Sequence, residues 1–202
     1  MAIVINANDG TISGVAVGGL PDGIVDAGTL ATNSVDSAEL IDGAIDTAHI
    51  GTDQITSAIL PAGSVLQVVQ AVSEDDYTFS TSSTDEVDVT GMAITITPSA
   101  TSSKILLWFQ CGTEANGAIN GLTITLYRDT TPIKENAQYS FPSTSGWNAG
   151  IAGFNYLYLD SPSTTSATTY KIAQENEIGG TMHWNWGTST NGMTVIAQEI
   201  AG

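Results

Sequence analysis

Positive charge is scarce in this 202-residue chain. Four Lys and Arg stand against 21 Asp and Glu, which gives a formal net charge of −17 at pH 7. A surface of this kind repels phosphate backbones and anionic lipid, so nucleic-acid binding through a basic footprint is strongly disfavoured. The same charge keeps a protein soluble and separate from other acidic molecules. We therefore expect no nucleic-acid partner.

Cysteine and long apolar runs are also nearly absent. Cys111 is the only cysteine, so no disulfide forms within the chain, and this suits assembly in a reducing cytosol. The run 104–111 is typical of a strand buried on both faces, in which Cys111 is a small hydrophobe rather than a nucleophile. Residues 1–6 lack a basic start, and no apolar run approaches the ~20 residues of a membrane helix. We expect no membrane insertion, and release by lysis rather than through a secretory signal.

The sequence contains no recognisable catalytic constellation. His49 and His183 lie in different regions, and the chain has no nucleophile elbow, phosphate loop, zinc spacing or dinucleotide fingerprint. Carboxylate pairs such as Asp75-Asp76 are expected in any chain this acidic and are typical of solvated loops. We therefore expect no enzyme activity, no cofactor and no metal site. A ring of three His49 side chains around an ion on a threefold axis is the alternative for a metal.

A ten-residue repeat occupies the N-terminal third of the chain. Val or Ile recurs at positions 15, 25, 35, 45 and 55, and Leu or Ile recurs at 20, 30, 40, 50 and 60. A unit this small buries its apolar residues only by stacking on neighbouring units or on other chains. The segments 36–39 and 46–49 favour single-turn helices, which Gly43 and Gly51 then end. We predict an elongated shaft of short helical turns and extended links; the alternative is a flexible linker with coincidental spacing.

The two apolar columns of the repeat are predicted to face a shared axis. Three chains would close that axis into an apolar core, although the spacing itself does not count the chains. The predicted core of the trimeric shaft consists of Val35, Leu40, Ile45, Ile50, Ile55 and Leu60.

Beyond residues 61–63 the pattern changes to a period of two and to β-forming residues. Clusters of Ser, Thr, Gly, Asn and Pro separate the apolar segments, and this argues for a β-sandwich or jelly roll. The predicted strands are 65–72, 77–80, 87–97, 104–111, 122–128, 151–160, 169–175, 182–186 and 193–200. The chain is thus predicted to be mainly β, with an N-terminal attachment segment at 1–14, a shaft at 15–61 and a sandwich domain at 62–202.

One predicted strand is apolar on both faces. Phe154, Tyr156 and Tyr158 alternate along it, and Leu157 and Leu159 occupy its other face. One face can pack within the sandwich and the other against a neighbouring subunit. We favour a subunit interface formed by the three aromatic residues, and the alternative is a plain sandwich core.

Two predicted connections, 136–150 and 179–191, carry aromatic residues among Asn, Ser and Gly. Sugar binding needs this combination, because rings stack on C–H faces while amides bond to hydroxyls, and long loops on rigid sandwiches commonly carry function. For the second connection, packing of Trp184 and Trp186 in the core is the stronger interpretation. The candidate glycan-binding residues are Tyr139, Phe141, Trp147, His183 and Asn185.

Several stretches of the chain resemble bacteriophage fibre proteins, many of which come from aquatic tailed phages, including those that infect cyanobacteria. These stretches are 12–26, 56–61, 63–70, 98–107, 161–170 and 193–202. The resemblance covers nearly the whole chain. It implies an N-terminus attached to the particle, a trimeric shaft, and a C-terminal jelly roll similar to tumour necrosis factor and the complement globular head, whose tip contacts the host.

The sequence as a whole predicts a non-enzymatic, homotrimeric virion fibre, assembled in the host cytoplasm. Residues 1–24 would dock on a tail, collar or capsid protein, and the C-terminal knob would contact host-surface polysaccharide. One alternative is a head or collar decoration protein with a purely structural role. Another is an enzyme that degrades surface polysaccharide, which would need a larger groove and a defined acid pair.

Overall fold

The computed structural model divides the chain into two compact units, Met1–Gln54 and Ile55–Gly202. It describes residues 4–6, 8, 11–13, 45, 48–52, 54–56, 59–79, 85–116, 119–141, 149–178, 181–185 and 192–202. In the first unit, strands β1 (Val4–Asn6) and β2 (Thr11–Ser13) pair antiparallel. The boundaries predicted at residues 14 and 61 remain predictions.

The described part of the second unit consists of strands. They are β3 (Val65–Ser73), β4 (Tyr77–Phe79), β5 (Val87–Ile96), β6 (Lys104–Asn116), β7 (Ile119–Arg128), β8 (Thr131–Phe141), β9 (Ala149–Asp160), β10 (Thr168–Ile178), β11 (Thr181–Trp184) and β12 (Met193–Ile200). One antiparallel sheet has the order β5-β10-β7-β8, and the other has the order β3-β12-β6-β11-β4, with β9 also paired to β6. The prediction of a mainly β chain with a β-sandwich is confirmed. In the portion that the structure describes, no helix has the length and apolar character to cross a membrane.

The core lies between the two sheets and follows the period of two that strands impose. On β6, Ile105, Leu107 and Phe109 are fully buried, whereas Trp108 is 43% exposed. The prediction that 104–111 is buried on both faces was wrong, because none of the described residues covers Trp108 on the second face of this sheet. Cys111 is buried as predicted for a small hydrophobe, and desolvation raises the pKa of its thiol to about 12, partly offset by the Asn185 backbone N–H.

Strand β8 was not predicted from the sequence. It occupies the first part of the predicted connection 136–150 and pairs with β7 at the edge of its sheet. The sequence of β8 is polar and shows little alternation. Among its described side chains, that of Ile133 packs against the core. Edge strands tolerate such sequences because one side of the strand and much of its surface face water.

The shaft residues that the structure describes are largely exposed. Ile45, Ile50 and Ile55 are 52%, 39% and 52% exposed, and Leu60 is half-buried. Val35 and Leu40 lie outside the described residues. Two isolated turns occur nearby, in which Gln54 N donates to the Gly51 carbonyl and Ile59 N donates to the Thr56 carbonyl. The helical shaft and its trimeric core remain predictions.

A buried carboxylate on the last strand forms hydrogen bonds to other segments of the sandwich. Glu199 on β12 is fully buried and accepts hydrogen bonds from Ser99 N and Oγ, Ser103 Oγ and Gln67 Nε2, at 2.6–2.7 Å. Gln67 Nε2 also donates to the Thr97 carbonyl at 2.7 Å. Desolvation alone would raise the pKa of Glu199, but the hydrogen bonds outweigh it and lower the pKa below its usual value of 4.5. Glu199 therefore stabilises the fold in its ionised form.

We expect this carboxylate to make stability depend on pH. Since its folded-state pKa lies below the unfolded-state value, its contribution is complete above about 4.5 and is lost as the pH falls through the folded-state pKa. Glu199→Gln should lower the free energy of unfolding at pH 7 by about 1–3 kcal/mol, because donors lose their ionised acceptor. Urea denaturation between pH 3 and pH 7 measures both effects. Glu74→Gln, on an exposed loop, is the control, and equal pH profiles for both variants would contradict the assignment.

Candidate functional site

The four predicted glycan-binding residues that the structure describes fall at one end of the sandwich, in or directly after strands of different sheets. Tyr139 and Phe141 lie on β8, in register with Leu122 and Ile119 of β7. His183 lies on β11 of the other sheet, and Asn185 follows that strand directly. Trp147 lies outside the described residues. The structure thus assigns each described residue a position, and the joint role of these residues in sugar binding remains a prediction.

A polar row crosses the sheet at this end. Thr78 on β4, His183 on β11 and Glu114 on β6 are neighbours in the strand register. Thr78 Oγ1 and His183 Nδ1 are 3.1 Å apart. Glu114 is 2% exposed, and its Oε2 atom has no hydrogen-bond partner among the described residues. Since an unsatisfied buried acceptor is costly, this row has the capacity to accept a further hydrogen bond from a hydroxyl or a water.

Asn185 has a structural role where the chain leaves β11. It adopts a left-handed conformation (φ 61°), which Asn tolerates better than most residues. Its backbone N donates to the Gly112 carbonyl at 2.8 Å, and its Nδ2 donates to the carbonyls of Glu74 and Asp75 at 2.9 and 3.3 Å. Its Oδ1 is buried without a partner among the described residues. Asn185 therefore serves to hold β11 to the 74–75 segment.

Trp184 belongs to the core, as the stronger interpretation of its segment predicted. It is fully buried, and its ring meets Phe154 edge-on, with centroids 4.9 Å apart. Its Nε1 donates to Gln174 Oε1 at 2.6 Å. This packing holds β11 against the sandwich and so fixes the positions of His183 and Asn185 on either side of it. Trp186 lies outside the described residues.

The aromatic residues of β9 face the core. Phe154 is 7% exposed and stacks parallel to Tyr156, and both Tyr156 and Tyr158 pack against the core. Leu157 and Leu159, on the opposite face of the strand, are 59% and 51% exposed. The sequence showed two apolar faces but not which of them points inward. A subunit interface at the aromatic residues remains a prediction, and the exposed leucines are the surface that sequence reasoning missed.

In the part of the chain that the structure describes, no group of three or more His, Cys, Asp and Glu side chains is arranged to hold a metal ion. His49 is exposed, and a ring of His49 side chains would require the trimer. The end of the sandwich near β11 thus carries an imidazole and a hydroxyl, with two buried acceptor oxygens beneath them.

The sequence matches no protein-family model and no curated protein. Among solved structures, the VP2 subviral particle of infectious bursal disease virus has a TM-score of 0.40 at 18% identity, over 67% of this chain and 33% of that one. T=1 particles derived from infectious bursal virus give a TM-score of 0.35 at 14% identity, over 67% and 36% of the two chains. Dimeric latent PorU from Porphyromonas gingivalis gives 0.32 at 10% identity, over 70% and 14%. The chain spans about a third of the viral proteins, and these similarities are too weak to indicate a shared function.

We expect Asn185→Ala to destabilise the protein by about 2 kcal/mol. The substitution removes two side-chain hydrogen bonds, and alanine disfavours the left-handed backbone conformation at this position. Asn185→Gly restores the backbone freedom and removes only the side-chain bonds, so its loss should be smaller. Thermal unfolding of the two variants measures the difference. An unchanged midpoint for Asn185→Ala would show that Asn185 does not hold β11 to the 74–75 segment.

Proposed function

We propose that this chain is a non-enzymatic structural protein of a bacteriophage virion, a homotrimeric fibre whose residues 1–24 attach to a tail, collar or capsid protein. The sandwich would be a knob that contacts glycans on the host cell surface. The observation that carries this proposal is the ten-residue repeat, followed in the sequence by a β-sandwich. The apolar columns of the repeat are buried only by stacking on neighbouring units or on other chains.

The exposure of the repeat residues supports association. Ile45 and Ile55, which belong to one apolar column, are each 52% exposed in the single chain. Burying an isoleucine completely contributes about 1.5–3 kcal/mol, so a column of such residues from three chains would stabilise a shaft that one chain cannot form. The same columns repeated along the shaft would give a thin fibre rather than a compact domain.

The order of the strands supports a jelly roll for the knob. Strands β5, β7, β8 and β10 belong to one sheet, whereas β3, β6, β9 and β12 belong to the other. The chain thus crosses repeatedly between the sheets, as a jelly roll requires. A rigid sandwich of this kind presents its connections at its two ends, where recognition residues are usually found.

Contact with the host would use the end of the sandwich that carries His183 and Asn185. Thr78 is exposed and His183 is half-buried at this end, and their side chains suit hydroxyl groups as hydrogen-bond partners. The net charge of −17 disfavours anionic sugars. Three weak sites on one knob, multiplied over several fibres, would hold a cell without any single tight site. We therefore propose neutral polysaccharide as the ligand class.

A head or collar decoration protein is the second candidate. It is favoured by the structural roles of Trp184 and Asn185, because two residues of the segment proposed for recognition also hold the sandwich together. Such a protein would also be a virion component and would need no receptor.

Light scattering of the full chain tests the association. We expect a mass three times the 20.9 kDa of one chain. A monomer at micromolar concentration would contradict the fibre.

Binding of the full chain to immobilised neutral oligosaccharides separates the two candidates. Under the fibre proposal, the Trp147→Ala/His183→Ala double variant should bind at least about tenfold more weakly, since stacking and one hydrogen bond are lost. Thr90→Ala, on the exposed face of β5, is the control. A trimer that binds none of the neutral or acidic oligosaccharides tested would favour decoration.

A further inference from the structure

The central part of one sheet face carries no charged side chain, and Lys104 and Glu114 flank this part along β6. Three rows of side chains cross the outer surface of β3, β12, β6 and β9, as the strand register shows. The rows are Val72, Thr194, Gln110 and Asn155; Gln70, Ile196, Trp108 and Leu157; and Val68, Gln198, Leu106 and Leu159. We call these residues the neutral face. Every member is aliphatic, aromatic, an amide or a hydroxyl.

The neutral face also concentrates exposed apolar surface. Val68 and Val72 are each 57% exposed, and Trp108 is 43% exposed. Leu157 and Leu159 are more than half exposed. A hollow of about 60 Å³ lies near the centre, lined by residues of β6 and β12, among them Trp108 and Ile196. Exposed apolar side chains that cluster on adjacent strands indicate a contact surface, whereas single exposed apolar residues are common on any protein surface.

The charged side chains of the described residues lie outside these three rows. On the outer face of the other sheet, Lys171 on β10 pairs with Asp88 on β5 at 2.7 Å, and Tyr127 on β7 donates to Glu86. A chain with 21 Asp and Glu has placed none of them in the three rows of the neutral face. This distribution is what a surface needs if it is to be desolvated against another body, because a buried unpaired carboxylate is costly.

We propose that the neutral face is the surface through which copies of this chain contact one another. This inference rests on the proposed self-association. Two copies that each carry a charge of −17 repel each other over most of their surfaces. Contact through the neutral face keeps the carboxylates apart. A cationic partner would instead be attracted to the acidic surfaces and would have no reason to select the face that lacks them.

The neutral face is large enough to form part of an interface between copies, but not all of it. Four strands about 4.8 Å apart and rows about 6.8 Å apart give an area of roughly 400 Å². A standard interface buries about 800 Å² on each partner. The neutral face would therefore form the centre of the contact, while flanking residues and the repeat columns would supply the rest.

Leu157→Asp in the full chain tests the proposal. The side chain is 59% exposed in the single chain, so the substitution should leave the sandwich folded. Leu157→Asp should raise the dissociation constant of the oligomer by about 100-fold or more, because each contact would desolvate a carboxylate. Val87→Asp is the matched control, since Val87 is a 37% exposed apolar residue at the start of β5 in the other sheet. Light scattering over a dilution series measures the dissociation, and circular dichroism confirms the fold.

The outcomes separate this inference from the proposed function. A monomeric wild type would overturn both. A trimeric wild type that Leu157→Asp and Leu159→Asp leave unchanged would overturn the inference and leave the fibre, held by its shaft.

Thiol labelling provides a second measurement if Leu157→Asp does not fold. Cys111 is buried, so a cysteine introduced as Gln70→Cys would be the accessible thiol on the neutral face. We expect a maleimide to label it at least about tenfold more slowly in the oligomer than Thr90→Cys on β5, because the partner copy excludes the reagent. Equal labelling rates would overturn the proposal.

Discussion

Electrostatic self-repulsion is the constraint on which the rest of this account depends. A net charge of −17 on 202 residues keeps copies apart wherever carboxylates face each other. Association is then restricted to surfaces from which acid has been removed. We propose two such surfaces: the predicted apolar columns of the ten-residue repeat and, among the described residues, the neutral face on β3, β12, β6 and β9. The proposed architecture of shaft and knob uses both.

Carboxylates buried inside the sandwich also need compensation for their charge. Glu199 is the acid that is buried within the last strand, and four hydrogen bonds compensate its desolvation. Asp160, also buried, pairs with Arg128 at 3.0 Å and accepts from Tyr170 Oη at 2.7 Å. Each of these two carboxylates therefore links several segments of the sandwich through hydrogen bonds. Glu114 differs, since one of its oxygens has no partner among the described residues, at the end of the molecule that we associate with recognition.

The period of two in the C-terminal part was sufficient to predict a β-sandwich and most of its strands, because half-buried strands alternate visibly. It was insufficient for β8, whose edge position removes the alternation. It predicted β6 and β9 as strands but not which face of each points inward, because both faces are apolar. Residues such as Trp108 and Leu157 look like core in the sequence because they are apolar, although they are 43% and 59% exposed in the single chain. Of the candidate glycan site, periodicity gave the core position of Trp184, whereas the buried hydrogen bonds of Asn185 depend on long-range contacts that no local pattern contains.

The central claim is that several copies of this chain assemble into a shaft with a knob. Electron microscopy of the purified full chain is the most direct measurement of it. The account predicts averaged particles with a threefold knob and a thin extension leading away from it. Isolated single sandwiches, without symmetry and without an extension, would contradict the account.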